Sequence, residues 1–256
     1  MDLGPSLPSF YSAAMPRSVE VVLLPRDLVS DHVEGKAVAV FDVLRATTSM
    51  TAALGAGVSE IRIFGDIEAA AEAAGKVGGP RLLCGERNCL RPDGFDLGNS
   101  PGAFRRDLHS GATIFLATTN GTRAIIAARR ATALFAAAIV NASAVARRLV
   151  ETGLDVTLLC AGTQGAIAME DVLGAGAVLE AMVSNNAGKP SGDVAQMAMR
   201  LFRASRGSLP EALAAAEGGR NVISAGLAAD IDYCATLDAL DIVGRVYDEP
   251  LRVVQS

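Results

Sequence analysis

Short apolar runs, rich in β-branched residues and bounded by glycine, proline or polar turns, recur along the chain and read as strands over 19–24, 36–41, 61–64, 81–84, 112–117, 133–137, 155–160 and 245–247. Helical periodicity fills the gaps between them. It predicts a helix from Thr47 or Thr48 to about Ala56, one capped by Asp66 and running to Ala74, and a short one opened by Ser100 and Pro101. Further helices are expected over 122–130, from an Asn141 cap to Thr152, over 169–183, and over 193–216. Gly218 and Gly219 should then break the chain before a helix over 221–227. Strands alternating with helices at short spacing predict a three-layer α/β/α fold with a largely parallel or mixed sheet. Residues 1–18, with Pro5, Pro8 and Pro16 and no period, read as a poorly ordered lead-in. Residues 19–256 read as one catalytic α/β unit, with a division into two lobes near 130–150 as the alternative.

In such sheets ligands meet the carboxyl ends of strands, so the polar turns that follow strands carry the information. Four stand out: 42–49, 86–100, 118–123 and 161–171. The densest is CGERNCLRPDGFDLGNSP (84–101), where glycines and prolines forbid regular structure and acidic side chains alternate with arginines.

Composition narrows the function. The chain has 256 residues, half of them hydrophobic, yet no apolar run approaches the roughly 18 to 20 residues that span a bilayer. The first residues show no basic segment followed by an apolar stretch. Four cysteines without CxxC spacing fit reduced thiols, so a cytoplasmic protein is expected. A net charge of −5 argues against nucleic acid as partner. A small anionic partner must then be drawn by a few local arginines or a metal ion. The apolar helices leave room for a homodimer face.

Several hydrolase chemistries drop out. Six residues beyond Cys84, Cys89, Cys160 and Cys234 stand Leu90, Phe95, Ala166 and Leu240, where a cysteine phosphate loop needs arginine. His32 and His109 are too few for a histidine-rich dimetal site. Leu44 occupies the place of the second aspartate of a haloacid-dehalogenase pattern begun by Asp42, and no GxxxxGK[ST] loop occurs. Oxygen chemistry remains: Asp42, Glu86, Asp93, Asp96, Glu170 and Asp171, beside Arg45, Arg87, Arg91 and Arg123. Oxygen ligands favour a hard cation, most simply Mg2+, and arginine beside it forks to phosphate, sulfonate or carboxylate. Each residue also has a plainer role. Asp42, Asn99, Ser100, Glu170 and Asp171 suit helix starts, Glu86 and Asp96 suit loop bracing, Asn120-Gly121 is an ordinary turn pair, and Asp230 and Asp232 read as structural.

DVLRATTS (42–49), GER (85–87), GFDLGNSP (94–101), TTNGTRA (118–124), CAGT (160–163), EDVLGAG (170–176) and DIDYC (230–234) together resemble the 2-phosphosulfolactate phosphatase family, in the family's order. The resemblance implies an α/β phosphoric monoester hydrolase that uses magnesium to convert 2-phosphosulfolactate to sulfolactate and phosphate, a step of coenzyme M biosynthesis. It directs attention to Asp42, Glu86 and Glu170 as catalytic, to Arg45, Arg87, Asn99, Asn120 and Arg123 as substrate-binding, and to Asp42, Glu86, Asp96 and Asp171 as metal ligands. The alternatives are a phosphatase for another small phospho-acid and a non-catalytic module that binds a small anion.

Overall fold

The computed structural model describes residues 16–256, so most of the expected lead-in lies outside the described residues. Its last two positions belong to the first strand: Arg17 and Ser18 pair with Gly188 and Lys189, and Asp155 accepts a hydrogen bond from the Ser18 amide at 2.9 Å. The strands are β1 (Arg17–Val22), β2 (Ala37–Phe41), β3 (Glu60–Phe64), β4 (Arg81–Gly85), β5 (Thr113–Ala117), β6 (Ala133–Ala137), β7 (Val156–Cys160), β8 (Gly188–Pro190), β9 (Gly244–Tyr247) and β10 (Arg252–Gln255). The helices are α1 (Ala46–Gly55), α2 (Ile67–Gly75), α3 (Arg106–His109), α4 (Gly121–Ala127), α5 (Ala142–Glu151), α6 (Met169–Ser184), α7 (Gly192–Ser205), α8 (Leu209–Ala215), α9 (Glu217–Ser224) and α10 (Ala229–Cys234).

All ten strands join one sheet in the order β4-β5-β3-β10-β9-β6-β2-β7-β1-β8. It is mixed and mostly parallel. The wing β6-β2-β7-β1-β8 is parallel throughout, and so is the wing β4-β5-β3. Between them β9 and β10 form antiparallel pairs on every side, so the two wings run in opposite senses. At about 20–25° of twist per neighbouring pair, the five steps from β2 to β5 rotate the strands by about 100–125°. That rotation offsets part of the formal reversal, and the turns after β2, β4, β5 and β7 line one pocket.

Strand β2 is buried on both faces, which is why its sequence is unbroken apolar rather than alternating. Ala37, Ala39 and Phe41 face a core shared with α5, α6 and α7. Val38 and Val40 face a second core, in which α1 and α4 meet Ile61, Ile63, Ile114 and Leu116 of the other wing. The two helices that start at the pocket are therefore wedged between the wings.

Three local expectations fail for tertiary reasons. The helical stretch 193–216 is two helices, α7 and α8, with Pro210 in the first turn of the second. Gly218 and Gly219 do not interrupt a helix but sit buried inside α9, because neighbouring atoms occupy the space a Cβ would need. The strand at 245–247 is not the last: β10 hairpins back on it, and β8 and α10 had no periodic signal. Asp66 caps α2 as its sequence implies, accepting from the Ala69 amide at 2.7 Å. No helix among the described residues is long and apolar enough to cross a membrane.

Candidate active site

Asp42 follows β2 directly, and the chain turns there into α1. Its Oδ1 accepts from the Ala46 amide (3.1 Å), and Thr47 closes the turn by donating from both its amide and its hydroxyl to the Asp42 carbonyl, each at 3.0 Å. Gly121, the first residue of α4, crowds the same carboxylate: a Cβ there would lie 2.7 Å from Asp42 Oδ2. Two helix N-termini thus face one acid, the arrangement that favours negative charge. Burial nevertheless raises Asp42 to about 6, and the Glu86 charge adds to the rise.

Glu170 and Asp171 occupy the first turn of α6, both buried. Asp171 accepts from the Val43 amide (2.8 Å) and the Gly162 amide (3.0 Å), tying the β2–α1 turn to the turn after β7. Burial, then the charges of Asp42 and Glu170, push it well above the carboxylate range. Glu170 presses its Oε1 against Gly218 of α9, where a Cβ would come within 1.9 Å. Its Oε2 is buried with no partner among the described residues. Burial raises Glu170 to about 7, and the charges of Asp42 and Glu217 push the same way. Near neutral pH such a group calls for a proton or a cation.

From the 84–101 loop, Glu86 Oε1 accepts from the Thr119 amide (2.7 Å) and Oε2 from the Cys89 amide (3.0 Å), joining the turns after β4 and β5. Asn88 and Cys89 take left-handed φ values of 53° and 67° to bring that amide round. Asn99 is buried with its Oδ1 unpartnered. Asp96 is exposed, braces its own loop by accepting from the Leu83 amide (2.7 Å), and does not line the pocket. Arg87 pairs with Glu68 (3.3 Å), and Arg87 and exposed Arg123 line a neighbouring depression that shares Glu86, Asn88 and Thr119 with the first. Asn120 lines the main pocket and accepts from the Gln164 amide (3.3 Å).

Arg45 enters the pocket from the turn after β2, its side chain 2% exposed. It donates to Asp230 (2.5 Å), to Ser100 Oγ (3.0 Å) and to the Cys89 carbonyl (2.5 Å). The pocket therefore gathers Asp42, Arg45, Glu86, Asn99 and Asn120, with Glu170 and Asp171 behind its wall. Arg87 and Arg123 stand to one side and Asp96 outside. Residues not named as site candidates from the sequence also line it: Gly218 and Asn221 of α9, and Thr163 and Gln164 in the polar turn after β7. The helix expected over 221–227 marked the second half of α9, while the paired glycine that reads as a break lies in its first turn.

A three-layer α/β protein with buried, charge-coupled acids, a fixed guanidinium and helix N-termini at strand carboxyl ends belongs to the class of enzymes that handle small anionic substrates. The family model for 2-phosphosulpholactate phosphatase matches residues 22–249. A probable 2-phosphosulfolactate phosphatase of Carboxydothermus hydrogenoformans is 38% identical over 92% of this chain and 96% of its own length. One from Thermotoga petrophila is 39% identical over 88% of this chain and 93% of its own, and one from Clostridium perfringens 30% identical over 93% and 97%. The chain belongs to the 2-phosphosulpholactate phosphatase family.

Proposed function

We propose that this protein is a magnesium-dependent phosphatase that hydrolyses 2-phosphosulfolactate to sulfolactate and inorganic phosphate, the type of step used in coenzyme M biosynthesis. Relatives aligned over nearly their whole length bear that activity in their names. The observation that carries the proposal is the Asp42–Glu170 pair: two buried acids raised into the neutral range, one with an unpartnered oxygen, beside a fixed arginine.

The donor set fits a hard cation of the magnesium kind. Among the described residues no three His, Cys, Asp or Glu side chains group so as to hold a metal ion. Magnesium does not need three, since it takes one or two carboxylates and fills its shell with water and phosphate oxygens. Asp42 and Glu170 would hold it, with the Asn99 side-chain oxygen as a further donor. Glu86 and Asp171 each have both oxygens committed to backbone amides, and Asp96 is turned to its own loop, so they suit the role less. When bound, magnesium would supply charge neutralisation for a polyanionic ester and polarise its phosphoryl group.

The chain's own residues do the rest. Arg45 directs its unclaimed N–H donors at phosphoryl or carboxylate oxygens. Glu170 does not line the pocket, so as a metal holder it would act through the cation rather than as a free proton acceptor. Asn120 orients substrate at the α4 end, and Arg87 and Arg123 add positive charge on the approach. Phosphate release should be measured on 2-phosphosulfolactate, phosphoglycolate and phospholactate, with magnesium and with EDTA. Preference for the first substrate and loss with EDTA are expected; equal rates on all three point to a broader phospho-acid phosphatase, and no release on any would sink the proposal. Inversion at phosphorus in a chirally labelled substrate assigns the attack to water, whereas retention, or a phosphoryl group trapped on Asp42, assigns it to Asp42.

A further inference from the structure

Arg45 comes from the turn after β2, and Asp230 lies 185 residues further on, in α10. Asp230 reads from the sequence as a structural acid, and in the fold it meets the pocket through Arg45 without lining it. Its Oδ2 accepts from Arg45 Nη1 at 2.5 Å and from the Ser100 hydroxyl at 2.8 Å, while the same Nη1 donates to Ser100 Oγ at 3.0 Å. The triangle is buried, with the two charged side chains 2% and 11% exposed. The Cys89 carbonyl takes Nη2.

Resting on the phosphate-ester reading of the pocket, we infer that Asp230 is the positioning residue that aims Arg45 at the substrate. A guanidinium carries five N–H donors in a rigid plane. Three contacts to Asp230, Ser100 and the Cys89 carbonyl pin that plane from two sides, and no protein acceptor among the described residues takes the Nε donor. The long arginine stem would otherwise sample many rotamers, at a cost in order paid on every binding event. Asp230 also cancels the arginine charge. What Arg45 then offers an anion is direction rather than net attraction, a contribution felt where geometry matters most, in the transition state. The attraction of a polyanion is left to the metal and to Arg87 and Arg123 on the approach.

The test compares Asp230→Asn, Asp230→Ala, Arg45→Ala and the Asp230→Ala/Arg45→Ala double variant in the full-length protein with magnesium. Asparagine keeps an acceptor oxygen in place and is the variant that preserves folding, as a melting curve verifies. The expected result is a kcat loss of about tenfold to a hundredfold in Asp230→Ala, a smaller loss in Asp230→Asn, and KM changed by less than about threefold. The double variant should be no slower than Arg45→Ala, because Asp230 acts through the arginine. Losses that multiply in the double variant, or a wild-type kcat in Asp230→Ala, would overturn the inference. A crystal structure of Asp230→Ala gives a readout that needs no turnover: Arg45 should leave Ser100 Oγ, and an unmoved guanidinium defeats the inference even if the substrate proves to be different.

Discussion

Two polar regions border the pocket, and they differ sharply in what their charges do. The 84–101 loop is dense in charge, yet Arg87, Arg91, Asp93 and Asp96 are exposed and mainly brace the loop: Asp96 holds Leu83, Arg91 holds the Asp96 carbonyl, and Arg87 pairs with Glu68. The acids at the helix starts, Asp42, Glu170 and Asp171, are few and buried, and each is lifted above the ordinary carboxylate range. Glu86, Asn88, Cys89 and Asn99 are the loop's contribution to the pocket lining. Density of polar residues marks a solvated turn; burial of polar residues marks chemistry, because desolvation makes an acid's charge costly and therefore responsive to a proton, a metal or a substrate.

The largest effects should follow from substitution on the buried side. Asp42→Asn and Glu170→Gln are expected to lower phosphate release by roughly a thousandfold while the protein stays folded. Steady-state rates near wild type in either variant would erase the contrast between the two regions.

Next comes pH. Glu170 rises from 4.5 to about 7 and Asp42 from 3.8 to about 6 on folding, so the folded chain keeps protons that the unfolded chain releases. The stability these protonated acids contribute is full below about pH 4, falls as pH rises, and levels off once the folded values are passed. At about 1.4 kcal/mol per pKa unit, Glu170 by itself costs the metal-free protein about 3 kcal/mol above pH 7. Melting of EDTA-treated protein should therefore drop from pH 5 to pH 8, magnesium should recover most of the loss, and Glu170→Gln should flatten the slope. A melting temperature that climbs over that range contradicts the assignment.

Gly218→Ala sharpens the comparison from the far wall. Its Cβ would fall 1.9 Å from Glu170 Oε1, so the carboxylate must move. A stability loss of about 1–3 kcal/mol is expected, with kcat falling further than the melting temperature alone implies. The smallest effect belongs to the exposed side. Glu68→Ala breaks the Arg87–Glu68 pair, 65% and 72% exposed, and chemical denaturation should register less than about 1 kcal/mol.

Much of this was legible in the chain. The apolar runs marked β2, β5, β6 and β7 to within a residue or two, since a buried strand needs continuous apolar sequence whatever surrounds it. The Asp66 cap was legible because capping is settled within three residues. The turns that line the pocket were legible as polar segments after strands. The role of each polar residue was not: Asp96 and Glu86 are both acids in one loop, and only their surroundings tell a loop brace from a pocket wall. Asp230 was invisible as a site residue for the same reason.

Local sequence determined where strands and helices lie, which turns are polar, and the motif series that reveals the family, because periodicity, capping and turn chemistry act over a handful of residues. Tertiary structure decided the opposed wings joined by the β9–β10 hairpin, the close seat of Gly218 on Glu170, and the meeting of Arg45 with Asp230. Those outcomes join positions as far apart in the chain as Ile61 and Val253, and which partner wins depends on the packing of everything between them.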